Sequence, residues 1–272
     1  MRKYVLSLLA GLVLTGTVMA QGATALFDQG NKFKDNKKYS EALASYKKAI
    51  ALNPKYKEAY FYAGWCCNEL EQYSDALTYL SKANNLWPDQ AKIYFEMGYA
   101  NENLKNYDEA ATQMKTCISL YEDYDLAYKE LGNIYFKQKD YKKALDFYHS
   151  YADKASNIKS AIYYYRRGYC ENDLGNYDEA ISSLTRAVEL DAEYNEAFTE
   201  LGYSYYMKGR YEDAIEQFNK AISIEKTALP IYYKGLCFLA NGNKPRATDM
   251  YNTLSEMKSD YAGKLKKKID GD

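Results

Sequence analysis

Five cysteines, a single histidine and recurring pairs of carboxylates are the side chains in this sequence that could carry covalent, metal or acid–base chemistry. The cysteines are Cys66, Cys67, Cys117, Cys170 and Cys237, an odd number with no C-x-x-C pair. With His149 as the sole histidine they supply no four-ligand zinc set. A nucleophile needs a neighbouring base, and His149 has no dyad or triad partner at a recognisable spacing. The carboxylate pairs Asp108 with Glu109 and Asp178 with Glu179 stand where second helices begin, so their expected partner is the positive end of a helix dipole. No glycine-rich phosphate loop is present. These residues predict neither an enzyme nor a cofactor or metal site, and they shift attention to the apolar side chains.

Those are dominated by 32 tyrosines, with nine phenylalanines and two tryptophans. At 272 residues, 47% hydrophobic and 27% charged, the chain is apolar enough for an ordered fold and too mixed in charge for disorder. Its 36 basic and 37 acidic residues give a formal charge of −1, which creates no global field to recruit nucleic acid.

The first twenty residues read as a targeting segment. Arg2 and Lys3 precede an apolar run from Val5 to Leu14, and Val18, Met19 and Ala20 end it with the residues a signal peptidase reads. Cleavage after Ala20 is expected, giving a mature chain free in the periplasm or secreted. No cysteine follows the cleavage point to carry a lipid. An uncleaved membrane anchor is the alternative, since the run is not much shorter than a spanning helix needs.

Elements able to position the aromatic residues emerge from an internal period. Glycines stand at 30, 64, 98, 132, 168, 202 and 235, and an alanine follows each by twelve residues, at 42, 76, 110, 144, 180, 214 and 247. The successive spacings are 34, 34, 34, 36, 34 and 33 residues, and glycine and alanine slip together where the period slips. Within a unit apolar residues recur every three to four positions, as in Tyr211, Ala214, Ile215, Phe218, Ala221 and Ile222. The unit is therefore a pair of amphipathic helices joined by a turn such as Lys38-Tyr39 or Asn106-Tyr107. One hairpin cannot bury its apolar face, so the units must stack. Equivalent cysteines in stacked units would lie about 10 Å apart, beyond disulfide reach, so free buried thiols are expected, with Cys66 and Cys117 the pair to check first.

Across residues 23–261 the chain resembles the tetratricopeptide repeat family. In a 34-residue frame with glycine eighth, the unit starting at Lys57 carries Tyr60, Gly64, Tyr73, Ala76, Leu80, Ala83 and Pro88 at positions 4, 8, 17, 20, 24, 27 and 32, matching the family pattern in type. The other frames begin at Ala23, Ala91, Asp125, Ala161, Asn195 and Ala228. Tyrosine fills position 17 in all but the last, where Lys244 stands. The resemblance implies an all-α, right-handed alpha-alpha superhelix of seven repeats that binds a protein partner in a concave groove. Residues 1–20 are then the signal peptide, 23–158 repeats one to four, 159–261 repeats five to seven, and 262–272 a capping helix and tail. Two extra residues, a missing proline and Tyr151 in place of a small residue mark 153–160 as either a joint or a long rigid hairpin.

In the family, positions 5 and 9 of each first helix line the groove. Here they give Phe61 with Trp65, Phe95 with Tyr99, Lys129 with Asn133, Tyr165 with Tyr169 and Thr199 with Tyr203. The expected partner-binding residues are Phe61, Trp65, Phe95, Tyr99, Lys129, Asn133, Arg166, Tyr169 and Tyr203. Aromatic side chains anchor interfaces because they remove large apolar areas from water while keeping a polar tip. Some family members grip a partner's terminal carboxylate through lysine at position 5, asparagine at 9, asparagine at 6 of the next repeat, and lysine at 2 and arginine at 6 of the third. Lys129 and Asn133 match its start, but Arg166, Glu196 and Glu200 break the pattern, leaving Lys129, Asn133 and Arg166 as a local site for an acidic group. The expected ligand is an extended peptide or amphipathic helix, and the expected role is a scaffold in an envelope complex. A periplasmic receptor for a glycan or small ligand is the alternative.

Overall fold

The computed structural model describes the backbone of residues 2–271 and the side chains of residues 19–271. Fifteen helices and no strands occur among the described residues. They are α1 (Arg2–Asp35), α2 (Tyr39–Leu52), α3 (Lys57–Glu69), α4 (Tyr73–Leu86), α5 (Ala91–Asn103), α6 (Tyr107–Leu120), α7 (Asp125–Lys137), α8 (Tyr141–Lys154), α9 (Ala161–Asp173), α10 (Tyr177–Leu190), α11 (Asn195–Met207), α12 (Tyr211–Ile224), α13 (Ala228–Ala240), α14 (Lys244–Glu256) and α15 (Tyr261–Asp270). The chain divides between Ile134 and Tyr135 into two compact units. The first holds the hairpins α1–α2, α3–α4 and α5–α6, and the second holds α9–α10, α11–α12 and α13–α14 with α15 against them.

Most of the expected signal segment, up to residue 18, lies outside the described side chains. Packing of the first unit begins just beyond it: Ala23 is fully buried, and Gly22 lies against Leu52. Among the described residues no helix is long and apolar enough to cross a membrane.

Each of the helices α2, α4, α6, α8, α10 and α12 begins at the tyrosine of position 17. The turn before it needs one residue in the left-handed region, two positions earlier. Lys37, Glu71, Lys105 and Lys139 fill that place with φ near 60°, and Gly175, Gly209 and Gly242 fill it in the later hairpins. The carboxylate pairs fall where dipole complementarity wants them, Asp108 and Glu109 in the first turn of α6, and Asp178 and Glu179 in that of α10.

The seven periodic alanines are all fully buried. The glycines do a more specific thing than separate two backbones: at Gly30, Gly64, Gly98, Gly168 and Gly202 the bare Cα admits a large side chain of the facing helix, sixteen residues on. A Cβ built on Gly30 would lie 2.5 Å from Tyr46, on Gly64 2.6 Å from Leu80, on Gly168 2.5 Å from Leu184 and on Gly202 2.6 Å from Phe218. At Gly235 the occupant is Leu265 from α15, at 2.6 Å, so the final helix covers the end of the stack with Leu265 and Ile269 buried.

Successive hairpins are tied by a second regularity. At five interfaces the residue at position 12 meets the residue at position 6 of the next hairpin, 27 or 28 residues later or 30 across the insertion, with chemistry that changes from one interface to another. The Lys34 ammonium lies 5.1 Å from the Tyr62 ring centre. Asn68 Nδ2 donates to the backbone carbonyl of Glu96 (3.0 Å) and to its Oε2 (2.8 Å). In the second unit the Arg166 guanidinium stands 5.7 Å over Phe136, Asn172 Nδ2 donates to Glu200 O (3.1 Å) and Oε2 (3.0 Å), and the Tyr206 and Tyr233 rings are 5.7 Å apart.

The insertion after α8 lengthens the connector to residues 155–160, where Asn157 has φ 88° and the Ser160 hydroxyl accepts from Tyr163 N at the start of α9. Tyrosines fill the added space. Tyr163 sits edge-on to Tyr148 and Tyr151 at 5.5 and 5.3 Å, and its hydroxyl donates to the Tyr148 carbonyl at 3.0 Å. Tyr151 thus replaces the usual small residue because there is a ring to meet. All five cysteines are buried and unbridged, and burial pushes the thiols up to about 11 for Cys67 and about 12 for Cys66, Cys117, Cys170 and Cys237.

Two stability predictions follow from these contacts. Alanine gains roughly 1 kcal/mol over glycine in a helix interior, a benefit lost where the methyl meets a rigid group. Gly98 faces the flexible Met114 with its Cε at 2.9 Å, whereas Gly202 faces the Phe218 ring. Thermal melts should place Gly98→Ala close to the parent and Gly202→Ala about 1–3 kcal/mol below it. The second concerns Glu96, whose carboxyl burial raises from its ordinary 4.5 to about 7, with the Asn68 bond opposing the rise. The folded chain then holds that proton more tightly than the unfolded chain. Its stabilising contribution is complete below pH 4.5 and is lost as pH rises through 7. Urea midpoints between pH 5 and 8 should show the parent losing on the order of 2 kcal/mol relative to Glu96→Gln, which keeps the acceptor for Asn68 and cannot ionise.

Candidate functional site

The first helices of the hairpins carry the aromatic residues singled out by the repeat frame, and each ring at position 9 is placed by a tyrosine of the preceding hairpin. Trp65 meets Tyr39 edge-on, with centroids 5.4 Å apart and planes at 87°, and Tyr99 meets Tyr73 at 6.3 Å and 67°. The second unit repeats the arrangement, Tyr169 against Tyr141 at 5.4 Å and Tyr203 against Tyr177 at 6.4 Å. An edge-to-face contact fixes a ring's orientation while leaving part of its surface open. Trp65, Tyr169 and Tyr203 are half-buried, and Tyr99 is 36% exposed. Burial raises the phenols of Tyr99, Tyr169 and Tyr203 above their ordinary value, Tyr169 to about 12, so all three stay neutral hydrogen-bond donors.

Position 5 behaves differently from the expectation of an open ladder. In alternate hairpins its ring is covered by the tyrosine that closes the same repeat: Phe27 by Tyr56 at 4.9 Å, Phe95 by Tyr124 at 5.0 Å, Tyr165 by Tyr194 at 4.9 Å and Tyr232 by Tyr261 at 5.0 Å. Phe61 has no such tyrosine, and the Lys92 ammonium covers its face at 4.7 Å. Phe61 is only 6% exposed and belongs to the core with Tyr46, Leu80 and Ile93. It is therefore corrected from an open groove residue to a packing residue. The covering tyrosines recur at the last position of their frames, and that recurrence was the available signal.

Lys129 and Asn133 do come together, but on a carboxylate of their own helix. Lys129 Nζ lies 3.1 Å from Glu130 Oε1, and Asn133 Nδ2 donates to Glu130 Oε2 at 2.8 Å. The charge expected to meet an acidic partner is thus already balanced by Glu130, the residue at position 6. Arg166, in the second unit, lies against Phe136 and near Tyr194. Among the described residues no three His, Cys, Asp or Glu side chains gather as a set that could hold a metal ion.

One pocket stands out on the second unit. A cavity of about 300 Å³ lies between α9, α11 and α13, lined by Tyr169, Asp173, Tyr177, Glu200, Tyr203 and Tyr233, with Asn172, Thr199 and Leu229 completing its wall. Glu200 is held in place by a buried network: Asn172 Nδ2 donates to it, and Asn172 Oδ1 accepts from the Ser204 hydroxyl at 2.7 Å.

Comparison with known proteins agrees with this architecture. Models of the tetratricopeptide repeat match residues 165–228, 91–124 and 130–157, and a TPR repeat model matches residues 30–64, together more than half of the chain. The small glutamine-rich tetratricopeptide repeat-containing protein 2 of Mycosarcoma maydis is 29% identical over 87 residues, 32% of this chain and 24% of that protein. The alignment thus spans about a quarter of that relative's length. Among solved structures, YrrB, described as a TPR protein with an unusual peptide-binding site, superposes with a TM-score of 0.63 at 24% identity, over 70% of this chain and 97% of that one. The C-terminal part of a TPR repeat-containing protein from Cytophaga hutchinsonii superposes with a TM-score of 0.68 at 14% identity, over 88% of this chain and 98% of that one. The paired helices, the glycine contacts and these matches together make the chain a member of the tetratricopeptide repeat family.

Proposed function

We propose that the chain is an exported scaffold that holds a protein partner, as an extended peptide or an amphipathic helix, along the aromatic face of its first helices. The observation that carries this reading is the set of oriented, half-open rings at position 9, Trp65 and Tyr99 in the first unit and Tyr169 and Tyr203 in the second. A ring whose edge is already fixed loses little freedom when a partner covers its face, which favours binding. Aromatic rings that are partly open to solvent are also what interface anchors look like before they are used. The likeness to YrrB supports peptide binding by analogy of fold alone. Export rests on the leader and its expected cleavage, and a role in assembling an envelope complex follows from export together with scaffolding.

Affinity capture from an envelope extract tests the surface. Residues 21–272 serve as bait beside the same chain carrying Trp65→Ala and Tyr99→Ala. The double variant should lose most of the captured protein, and equal recovery by both baits would remove this face from consideration. A shift on cell-wall fragments with no protein captured would instead favour a glycan receptor. Amino-terminal sequencing of the protein from cells checks export directly, with Gln21 the expected first residue and Met1 the result that contradicts it.

A further inference from the structure

We infer that the cavity of the second unit is a receptor for the side chain of a lysine or arginine in the partner peptide. This deepens the proposed peptide-binding role and rests on it. The lining has two components that suit a cation. Asp173 and Glu200 supply carboxylates, and Tyr169, Tyr177, Tyr203 and Tyr233 supply rings. The rings stand at steep angles to one another, Tyr177 to Tyr203 at 79° and Tyr203 to Tyr233 at 63°, so they form walls rather than a flat stack. A cation between ring faces and carboxylates gains from both.

None of the nine lining residues is basic. Glu200 therefore has a hydrogen-bond donor from inside the fold, Asn172, and no lysine or arginine among the cavity walls to balance it. The neighbouring cavity, of about 250 Å³, shares Thr199, Glu200 and Leu229 with the first and adds Glu196 and Glu225, again with no basic residue in its lining. Charge of one sign thus continues along the path an extended peptide would take, beside the apolar Leu229 and Pro230. Of the two position 6 carboxylates in the first unit, Glu130 is already met by Lys129, whereas Glu96 has the same asparagine donor as Glu200. A balanced carboxylate has nothing to offer a cation, and Glu200 does. The same position that carries arginine in family members gripping a terminal carboxylate is acidic here, which reverses the charge the ligand must bring.

Fluorescence anisotropy with the chain of residues 21–272 tests the assignment. The probes are three labelled dodecapeptides of one sequence, alternating leucine with lysine, acetyl-lysine or glutamate. The lysine peptide should bind at least about tenfold more tightly than the other two. Glu200→Gln should remove most of that preference, and so should Asp173→Asn, which lies outside the Asn172 network and guards against a loss of fold in the first variant. Equal affinity for lysine and acetyl-lysine peptides, or a preference unchanged in both variants, overturns the cation receptor while leaving the peptide surface standing. If no peptide binds, the receptor is overturned, and the capture experiment with Trp65→Ala and Tyr99→Ala decides the wider reading independently.

Discussion

The absence of a β-carbon at one position per repeat is the constraint on which the rest of this structure depends. A large side chain from the second helix, such as Leu184 or Phe218, occupies the space where that carbon would be, and this sets how closely the two helices approach. Their spacing in turn sets where position 17 emerges, and the tyrosine there reaches across to orient the position 9 ring of the next hairpin. Core packing and surface chemistry are therefore one arrangement: the same hairpin geometry that buries Phe218 presents Tyr203 to solvent at a defined angle.

Much of this is legible from periodicity. Glycine and alanine in fixed register mark the hairpins, and the helices begin where the frame places tyrosine. The pairing of positions 12 and 6 was harder to see, because no single residue type runs through all the repeats there. Lysine with tyrosine, asparagine with glutamate and phenylalanine with arginine share a location and not a chemistry, so a search for repeated letters passes over them. Exposure was less legible still. Phe61 and Phe95 occupy equivalent places in the frame, yet what covers each comes from elsewhere in the chain, Lys92 for one and Tyr124 for the other. A frame position gives the direction of a side chain, and burial also depends on what its neighbours happen to be. For the same reason Lys129 looked like a cation waiting for a ligand until the adjacent Glu130 was seen to hold it.

The abundance of tyrosine has a physical account in these contacts. A tyrosine can pack a ring into a half-buried slot and still satisfy its hydroxyl at the edge, as Tyr163 does through the Tyr148 carbonyl and Tyr46 through Asn31 Oδ1 at 2.9 Å. A solenoid has a high proportion of such slots, because every helix lies near solvent and little of the molecule is deep interior. Phenylalanine would fill the same volumes and leave the rim apolar.

The changing chemistry of the position 12 and 6 pairs also acts as an address. Repeated hairpins of similar shape invite misassembly, since any one could dock on the wrong neighbour or on a second copy of the chain during folding. A hairpin offering Phe136 welcomes Arg166, and it would confront the carboxylate of Glu96 with an electron-rich ring face. Likewise Lys34 suits Tyr62 and would stand beside a like charge if Arg166 took that place. Only the asparagine–glutamate pairing is used twice among these contacts, at interfaces on separate compact units. Within each compact unit, the junctions described thereby favour one neighbour over another independently of the loops that connect the hairpins.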